Sequence, residues 1–505
     1  MAIKISLTNK KLLDNKVDAV IFWTEANFSF VKFKDLAKKY CPNLEKQMKD
    51  RKFSGKLNDI LVVPPLDANC TYFVFVGLGK KNKDNVIDFE NYRRAIGNIV
   101  RLLNSYSIKS IALEFPESSL FDKTVEYIAK QTAIILQMAD YVFDDFITES
   151  SALIEADADI NIIVTETQRK TLQVFINEGL VISDAVNNAR EWVDLPSNVM
   201  TPADLSANAE QIAHEFGLEC KIFHEKEINK LGMGGISAVS SGSHKDARLV
   251  IMQYQAKTKN APTICFIGKG ITFDSGGLSL KPAMHMETMK EDMSGAAAVI
   301  ATMKALAQLK PSINIVAIAP IAENMPSGTS VRPGDIVKFY NGKTAEIKNT
   351  DAEGRLILAD AMSYAVKHFK IDALIDLATL TGACAYALGP YFSGLFSEHE
   401  EFVQKVYQAA KLSGESVWRL PLTDDYKPAV RAEVADLSNT GKKEFQAGAT
   451  LAACFLQHFV GNIPWVHLDI AGTAFNVPYI SYYRMHSATG VGVRLLVELA
   501  MNWQK

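Results

Sequence analysis

The chain carries little surplus charge of either sign: 54 Lys and Arg against 57 Asp and Glu leave a formal net charge of −3 over 505 residues. That balance supplies no general attraction to nucleic acid or to an anionic membrane. Histidine is scarce, with nine in the chain and none in an HExxH pattern, so a helix-borne two-histidine zinc site is excluded. There is no GxSxG turn and no GxxxxGK[ST] loop, which removes a nucleophilic-serine elbow and a phosphate loop. Gly268-Lys-Gly270 is too short for a dinucleotide fingerprint, and the later glycines are wrongly spaced. No run reaches the ~20 apolar residues that a membrane helix needs. The six cysteines (Cys41, Cys70, Cys220, Cys265, Cys384 and Cys454) form no CxxC pair, and most stand in apolar surroundings. Buried free thiols in a reducing compartment are the expectation. The opening Met-Ala-Ile-Lys-Ile-Ser lacks the apolar stretch of a secretory leader, so a cytoplasmic protein is expected.

What is present is apolar material, 48% of residues against 22% charged, which is enough for a large buried core. A chain of this length exceeds what one core usually serves, so two domains are expected. β-rich apolar runs alternate with helical patterns throughout, which implies α/β architecture. Residues 1–168 read as a small N-terminal α/β domain with strands at 19–23, 72–76, 110–114 and 160–164 and a helix across 91–103. This part contains no cluster of potential ligands. Residues 169–505 read as a larger α/β domain, beginning with a long linking helix over 170–192. Proline at 196 and 202 stops that helix. The later strands, at 249–252, 263–267, 315–318, 373–377 and 465–469, are continuously apolar. Such strands suit a central mixed sheet flanked by helices on both faces.

Three segments place charged residues beside apolar strand ends, where sites form in open α/β sheets. In Gly268-Lys-Gly-Ile-Thr-Phe-Asp-Ser-Gly-Gly277, Lys269 and Asp274 flank a short apolar step. Desolvation there lowers a lysine pKa, and a neutral amine can bind a metal; the plain alternative is a loop lysine paired with Asp274. In Met289-Lys-Glu-Asp-Met-Ser-Gly295, Asp292 precedes a helix opening on small residues. Its alternative role is a helix cap. In Asn349-Thr-Asp-Ala-Glu-Gly-Arg355, Asp351 and Glu353 stand two apart, a spacing that points both to one side if the segment is extended. Carboxylates so placed repel unless a cation sits between them, and Arg355 offsets part of that repulsion. A solvated acidic turn is the alternative. Together the segments offer four carboxylates and one amine, enough to hold two divalent cations. Oxygen-rich donors accept Mg, Mn or Zn without choosing among them. His467, inside Trp465-Val-His-Leu-Asp469, reads as a core residue.

Read jointly, these segments resemble the leucyl aminopeptidase (cytosol aminopeptidase) family. Asn349-Thr-Asp-Ala-Glu-Gly-Arg-Leu356 is similar to its signature octapeptide, and the segment 268–277 with Leu280-Lys-Pro282 to its upstream motif. Asp292 with Ser294-Gly-Ala-Ala297, Asp376-Leu-Ala-Thr-Leu-Thr-Gly-Ala383 and His467-Leu-Asp-Ile-Ala-Gly472 follow in family order. The match runs from about residue 190 to the C-terminus, with little resemblance claimed before it.

The resemblance implies a metal-dependent aminopeptidase that releases leucine or other apolar N-terminal residues from short peptides. Its nucleophile would be a hydroxide bridging two metal ions, Zn or Mn, with Mg and Co as further candidates. Lys269, Asp274, Asp292 and Glu353 are implied to bind one metal, and Asp274, Asp351 and Glu353 the other. Lys281 and Arg355 are the implied catalytic side chains, with bicarbonate bound at Arg355 as general base. Met289, Thr379 and Gly382 map to the substrate side-chain pocket. The resemblance also implies a homohexamer; that no membrane is a partner is expected from the charge balance and the lack of a long apolar run. Two other readings stay in view. DNA binding finds support only in scattered lysines such as Lys80-Lys-Asn-Lys83. A two-metal phosphatase is permitted by the metals alone, and the combination of Lys269, Lys281 and Arg355 in family order speaks against it.

Overall fold

A computed structural model describes residues 3–148 and 158–504. The described residues fall into two compact units: residues up to Asp184 with Tyr479–Arg484, and Ala185–Pro478 with the residues from Met485 onward. The division lies inside one helix, Glu166–Asp194.

The first unit is built on a six-stranded sheet of β1 (Lys4–Thr8), β2 (Val17–Thr24), β3 (Ile60–Val63), β4 (Cys70–Gly77), β5 (Ser110–Glu114) and β6 (Asp159–Ile163). Their spatial order is β1-β6-β5-β2-β4-β3, parallel except for β3 against β4. Alternation along β2 and β4 sends Val20, Phe73 and Phe75 to one face, where Phe33, Leu44 and Met48 cover them. The helix Phe89–Tyr106 buries Tyr92, Ile96, Ile99 and Leu103, the spacing of one helical face. Asp88 caps it by accepting from Glu90 N at 3.0 Å.

The second unit holds a nine-stranded mixed sheet. Its strands are β7 (Glu219–His224), β8 (Arg248–Tyr254), β9 (Thr263–Gly268), β10 (Gly270–Asp274) and β11 (Asn314–Asn324). These are followed by β14 (Ala373–Ala378), β15 (Ser393–Phe396), β16 (Val417–Arg419) and β18 (Trp465–Asp469). The numbers between belong to a small separate sheet of β12 (Ile336–Lys338), β13 (Thr344–Glu346) and β17 (Leu437–Ser438). The large sheet runs β16-β15-β18-β14-β9-β11-β8-β7, with β10 beside the distal half of β11. Its centre, β18, β14, β9 and β11, is parallel, so four strands deliver their carboxyl ends to one edge.

Helices cover this sheet closely because the contact positions are small. The helix Ser294–Leu309 opens Ser-Gly-Ala-Ala-Ala and is buried along most of its length. A Cβ on Gly295 would sit 2.2 Å from Leu377 O, and one on Gly268 2.2 Å from Gly295 O. Only glycine permits that approach. The helix Gly354–His368 is buried on all sides from Gly354 to Ala365, as expected of a helix enclosed within the fold. Among the described residues, no helix is long and apolar enough to cross a membrane. The sequence placed every strand it named and the two helices it bounded, 91–103 and 170–192. It did not foresee β1, β3, β7, β15, β16 or the small sheet, nor β10, which it read as a short apolar step. All six cysteines are free, with Cys70 and Cys220 only half-buried.

Candidate metal centre

The parallel strand ends determine where the charged groups stand. Lys269 follows β9 directly, Asp274 closes β10, Asn324 closes β11, Thr379 follows β14 and Asp469 closes β18. Asp292 arrives on the 3-10 turn Met289–Met293, just before the helix that packs on β9. Asp351 and Glu353 precede the helix Gly354–His368.

These side chains converge. Lys269 Nζ pairs with Asp292 Oδ1 at 2.7 Å and Glu353 Oε1 at 2.9 Å, and donates to Thr379 O at 2.8 Å. Lys281 Nζ pairs with Asp274 Oδ2 at 2.8 Å and with Asp351 Oδ1. Asp274, Asp351 and Glu353 bring carboxylate oxygens within 4.8 Å of one another. The loop alternative, Lys269 salt-bridged to Asp274, is not what the structure shows, since Asp274 takes Lys281 instead. The extended geometry expected for Asp351–Glu353 is also corrected. Asp351 lies in a turn, with its N–H on Asn349 Oδ1 at 2.8 Å, and Glu353 has helical dihedrals. The two carboxylates meet because the chain bends into the helix between them.

Four carboxylates face two lysines in a nearly dry space: Lys269, Asp274 and Glu353 are each 2% exposed and Asp292 is 4% exposed. Burial disfavours every charge here, and the outcome at each group depends on its partners. For Lys269 burial works downward, but Asp292, Glu353 and Asp274 outweigh it and hold the amine above its usual range. A cation bound by these carboxylates would withdraw that support and favour the neutral amine that a lysine ligand must be. Lys281 is raised in the same way, with Asp274 and Glu353 overcoming burial. Asp274 is pushed up to about 7 by burial and by Glu353, against the two lysines. Burial also raises Asp292. Glu353 ends below its ordinary value, because Lys269 and Lys281 outweigh its burial.

The donor set fits cations. Asp292 Oδ2 and Glu353 Oε2 are buried and take no hydrogen bond, an expensive arrangement for a carboxylate oxygen in a dry site. Carboxylates outnumber ammonium groups by two, and all the acceptors are hard oxygens of the kind divalent cations prefer.

Arg355 stands two residues past Glu353, 8% exposed, with Nη1 on Asn439 O at 2.8 Å and Nε without a partner. Burial lowers it to about 10, opposed by Glu353, Asp469 and Asp351. It therefore stays cationic at neutral pH. Thr379 is buried and donates from Oγ1 to Asp292 Oδ1 at 2.8 Å. Met289 is half-buried on the turn that carries Asp292. Gly382 is exposed, with nothing nearer to a built Cβ than Tyr386 at 3.9 Å.

Sequence reasoning missed three supporting side chains. Asn324 donates to Asp274 Oδ1 at 2.8 Å and to Thr350 O at 3.1 Å. Asn439 donates to Asn349 O at 2.6 Å and accepts from Lys348 N at 2.8 Å, pinning the acidic turn. Asp469 holds the segment after Thr379. His467 is fully buried, as expected of a core residue, but its Nδ1 bonds Asp376 Oδ1 at 2.7 Å.

Comparison with known proteins identifies the family of the chain. Residues 187–497 match the model of the cytosol aminopeptidase family, catalytic domain, and residues 19–150 match that family's N-terminal domain. A relative from Aquifex aeolicus (strain VF5), named as a probable cytosol aminopeptidase, is 40% identical over 451 residues, 89% of this chain and 88% of the relative. One of the same name from Sulfurihydrogenibium sp. (strain YO3AOP1) is 37% identical over 501 residues, 98% and 97% of the two chains. Among solved structures, a mutant of tomato leucine aminopeptidase superposes with TM-score 0.87 at 29% identity, covering 99% of this chain and 96% of that one. The bottromycin maturation enzyme BotP in complex with Mn gives TM-score 0.83 at 30% identity, covering 97% and 100%. The chain belongs to the cytosol aminopeptidase family, and it is an aminopeptidase.

Proposed function

We propose that this aminopeptidase removes leucine and other apolar N-terminal residues from short peptides, using two divalent cations held by Lys269, Asp274, Asp292, Asp351 and Glu353. Lys269, Asp274, Asp292 and Glu353 hold one cation; Asp274, Asp351 and Glu353 hold the other. The observation that carries this reading is the pair of unpartnered buried oxygens, Asp292 Oδ2 and Glu353 Oε2, inside a carboxylate-rich cluster. Mn and Zn are the favoured occupants, with Mg and Co fitting the same donors, and the Mn complex of BotP favours the first. When bound, such cations make a water nucleophilic at neutral pH and polarise a carbonyl.

The chain's own residues supply the rest. Lys281 keeps its proton and is less buried than Lys269, with 15% of its side chain exposed against 3%. Its ammonium stands ready to stabilise negative charge developing on the substrate carbonyl oxygen. Arg355, cationic and with Nε unpartnered, offers a seat for a small anion. Bicarbonate fits that seat and would supply a general base. Met289, Thr379 and Gly382 are assigned to the recess for the substrate's first side chain, a reading supported by the space beside Gly382, where a Cβ would meet only Tyr386 at 3.9 Å. A charged first residue would be penalised there by burial without a partner. Assembly as a homohexamer and a cytoplasmic location complete the proposal.

Hydrolysis of L-leucine amide, measured beside metal content, tests it. Glu353→Gln and Asp351→Ala should each lose metal and activity together. Full activity in either variant, or a wild-type chain that retains no divalent cation, contradicts the reading.

A further inference from the structure

Thr379 touches the centre twice, through its carbonyl to Lys269 and its hydroxyl to Asp292. Three residues on, Gly382 opens the helix Gly382–Leu388. The segment 379–382 therefore connects the cation cluster to the recess proposed for the substrate's first side chain. What shapes it is a single carboxylate from another strand. Asp469, 1% exposed, accepts from Leu380 N at 3.2 Å, Thr381 N at 3.5 Å and Ala471 N at 3.2 Å through Oδ1. Its Oδ2 accepts from Thr381 Oγ1 at 2.6 Å. The Thr381 hydroxyl in turn accepts from Cys384 N at 3.0 Å, capping the helix. With its proton given to Asp469, that hydroxyl is left with lone pairs for the cap, so one carboxylate sets both the turn and the helix start.

Below Asp469 on the same strand lies a second buried polar group. His467 lies two residues back on β18, the same face one step deeper, about 6.6 Å along the strand. It sits directly opposite Asp376 in the parallel ladder. Asp376 accepts from His467 Nδ1 and Trp465 Nε1, both at 2.7 Å, and all three side chains are buried. This polar layer lies inside an otherwise apolar region that includes Ile267, Phe396 and Trp465.

We propose that Asp469 is a positioning residue for the peptidase reaction: it holds the Thr379–Gly382 turn in the shape that fits the substrate's first side chain, with Thr379 aimed at Lys269 and Asp292. The inference rests on the proposed placement of the first-residue recess at Met289, Thr379 and Gly382. Asp469 touches no substrate in this scheme and acts through the turn.

The test compares kcat and KM for the 4-nitroanilides of L-leucine and L-alanine, using the metal-loaded full chain. Asp469→Ala should lower the leucine-to-alanine ratio of kcat/KM by about tenfold, the scale on which hydrophobic pockets discriminate. The loss should fall mainly on KM for leucine. Asp469→Asn retains an acceptor for the three backbone N–H groups and should restore most of the ratio. Thr381→Val removes only the hydroxyl and should shift the ratio in the same direction by less. It serves as the deciding variant if Asp469→Ala does not fold. A purely structural role predicts lower thermal stability with the ratio and KM unchanged. That result, in a folded Asp469→Ala or in Thr381→Val, overturns the inference. A wild-type chain that cleaves neither anilide, by contrast, fails the functional reading itself.

Discussion

Lys269 Nζ donates to the carbonyl oxygen of Thr379 at 2.8 Å, so the buried amine is fixed across the seam between two neighbouring parallel strands, β9 and β14. The next backbone link in that seam, Lys269 N on Leu377 O at 3.0 Å, holds the same residue at its other end. A lysine tied at both ends cannot swing to solvent. Its position is set by the sheet, and the carboxylates come to it.

The first prediction concerns that amine. Lys269→Met leaves Asp292 and Glu353 buried without their cation. Breaking a buried pair at one partner typically costs 3–5 kcal/mol, so the metal-free variant should lose about 3 kcal/mol of stability in urea unfolding. Added Mn²⁺ should raise the melting temperature of this variant less than that of wild type, because the proposed site has lost its amine ligand and binds the cation more weakly. An equal rise in the two proteins would show that Lys269 is not a ligand.

Gly354 supplies the second. A Cβ at this position would lie 2.5 Å from Lys269 Cε and 2.8 Å from Nζ. Gly354 begins its helix, so alanine is compatible with the backbone and the effect falls on the lysine. Gly354→Ala should reduce kcat by about a hundredfold, the typical result of moving a site group by an ångström. The melting temperature should change little. Differential scanning fluorimetry beside leucine anilide kinetics separates the two effects, and unchanged turnover would show that Lys269 tolerates displacement.

How much of this was legible in the chain depended on the range of the interaction. The central strands Thr263–Gly268, Ala373–Ala378 and Trp465–Asp469 read as apolar runs, interrupted inside only by Asp376 and His467, because they are buried on both faces. The same burial made the charged residues at their ends conspicuous. Partner choice was not legible. Spacing suggested Lys269 with Asp274, five residues apart. Strand order instead gives Lys269 to Asp292 and Glu353, and Asp274 to Lys281. Asn324, Asn439 and Asp469 act over 26 to 91 residues of sequence, and nothing local marks them. Short strands such as Ile60–Val63 and Val417–Arg419 carry too few residues for a period to show. Residues 19–150 match the family's N-terminal domain although they offered no chemical motif.

The third prediction uses the open space at Gly382. A Cβ there meets only Tyr386, at van der Waals distance, and the position is exposed, so Gly382→Val should fold normally. It would occupy the recess that an apolar first residue enters. The kcat/KM for L-leucine 4-nitroanilide should fall about tenfold or more, and that for L-alanine 4-nitroanilide much less, because a smaller substrate side chain leaves room. Equal losses on both substrates would move the recess elsewhere.

The fourth prediction is a pH dependence of stability remote from the charged cluster. Asp360 is fully buried, and its carboxylate accepts from Tyr340 N at 2.8 Å and Ile236 N at 3.0 Å. Burial lifts it to about 7, with these backbone donors working against the rise. An unfolded aspartate titrates near 3.9, so across the interval between the two values the folded chain binds the extra proton. The Asp360 contribution is thus fully present below about pH 4 and is lost as the pH rises through about 7, with a limiting slope of about 1.4 kcal/mol per pH unit. Other groups titrate in the same window, and a difference measurement isolates this one. Asp360→Asn cannot ionise, so whatever constant offset the amide introduces, the gap between the two proteins must change with pH. Urea unfolding from pH 4.5 to 8 should show the wild type losing stability relative to Asp360→Asn as the pH increases. A gap that stays constant would mean that Asp360 titrates alike in the folded and unfolded chains, its backbone donors offsetting its burial completely.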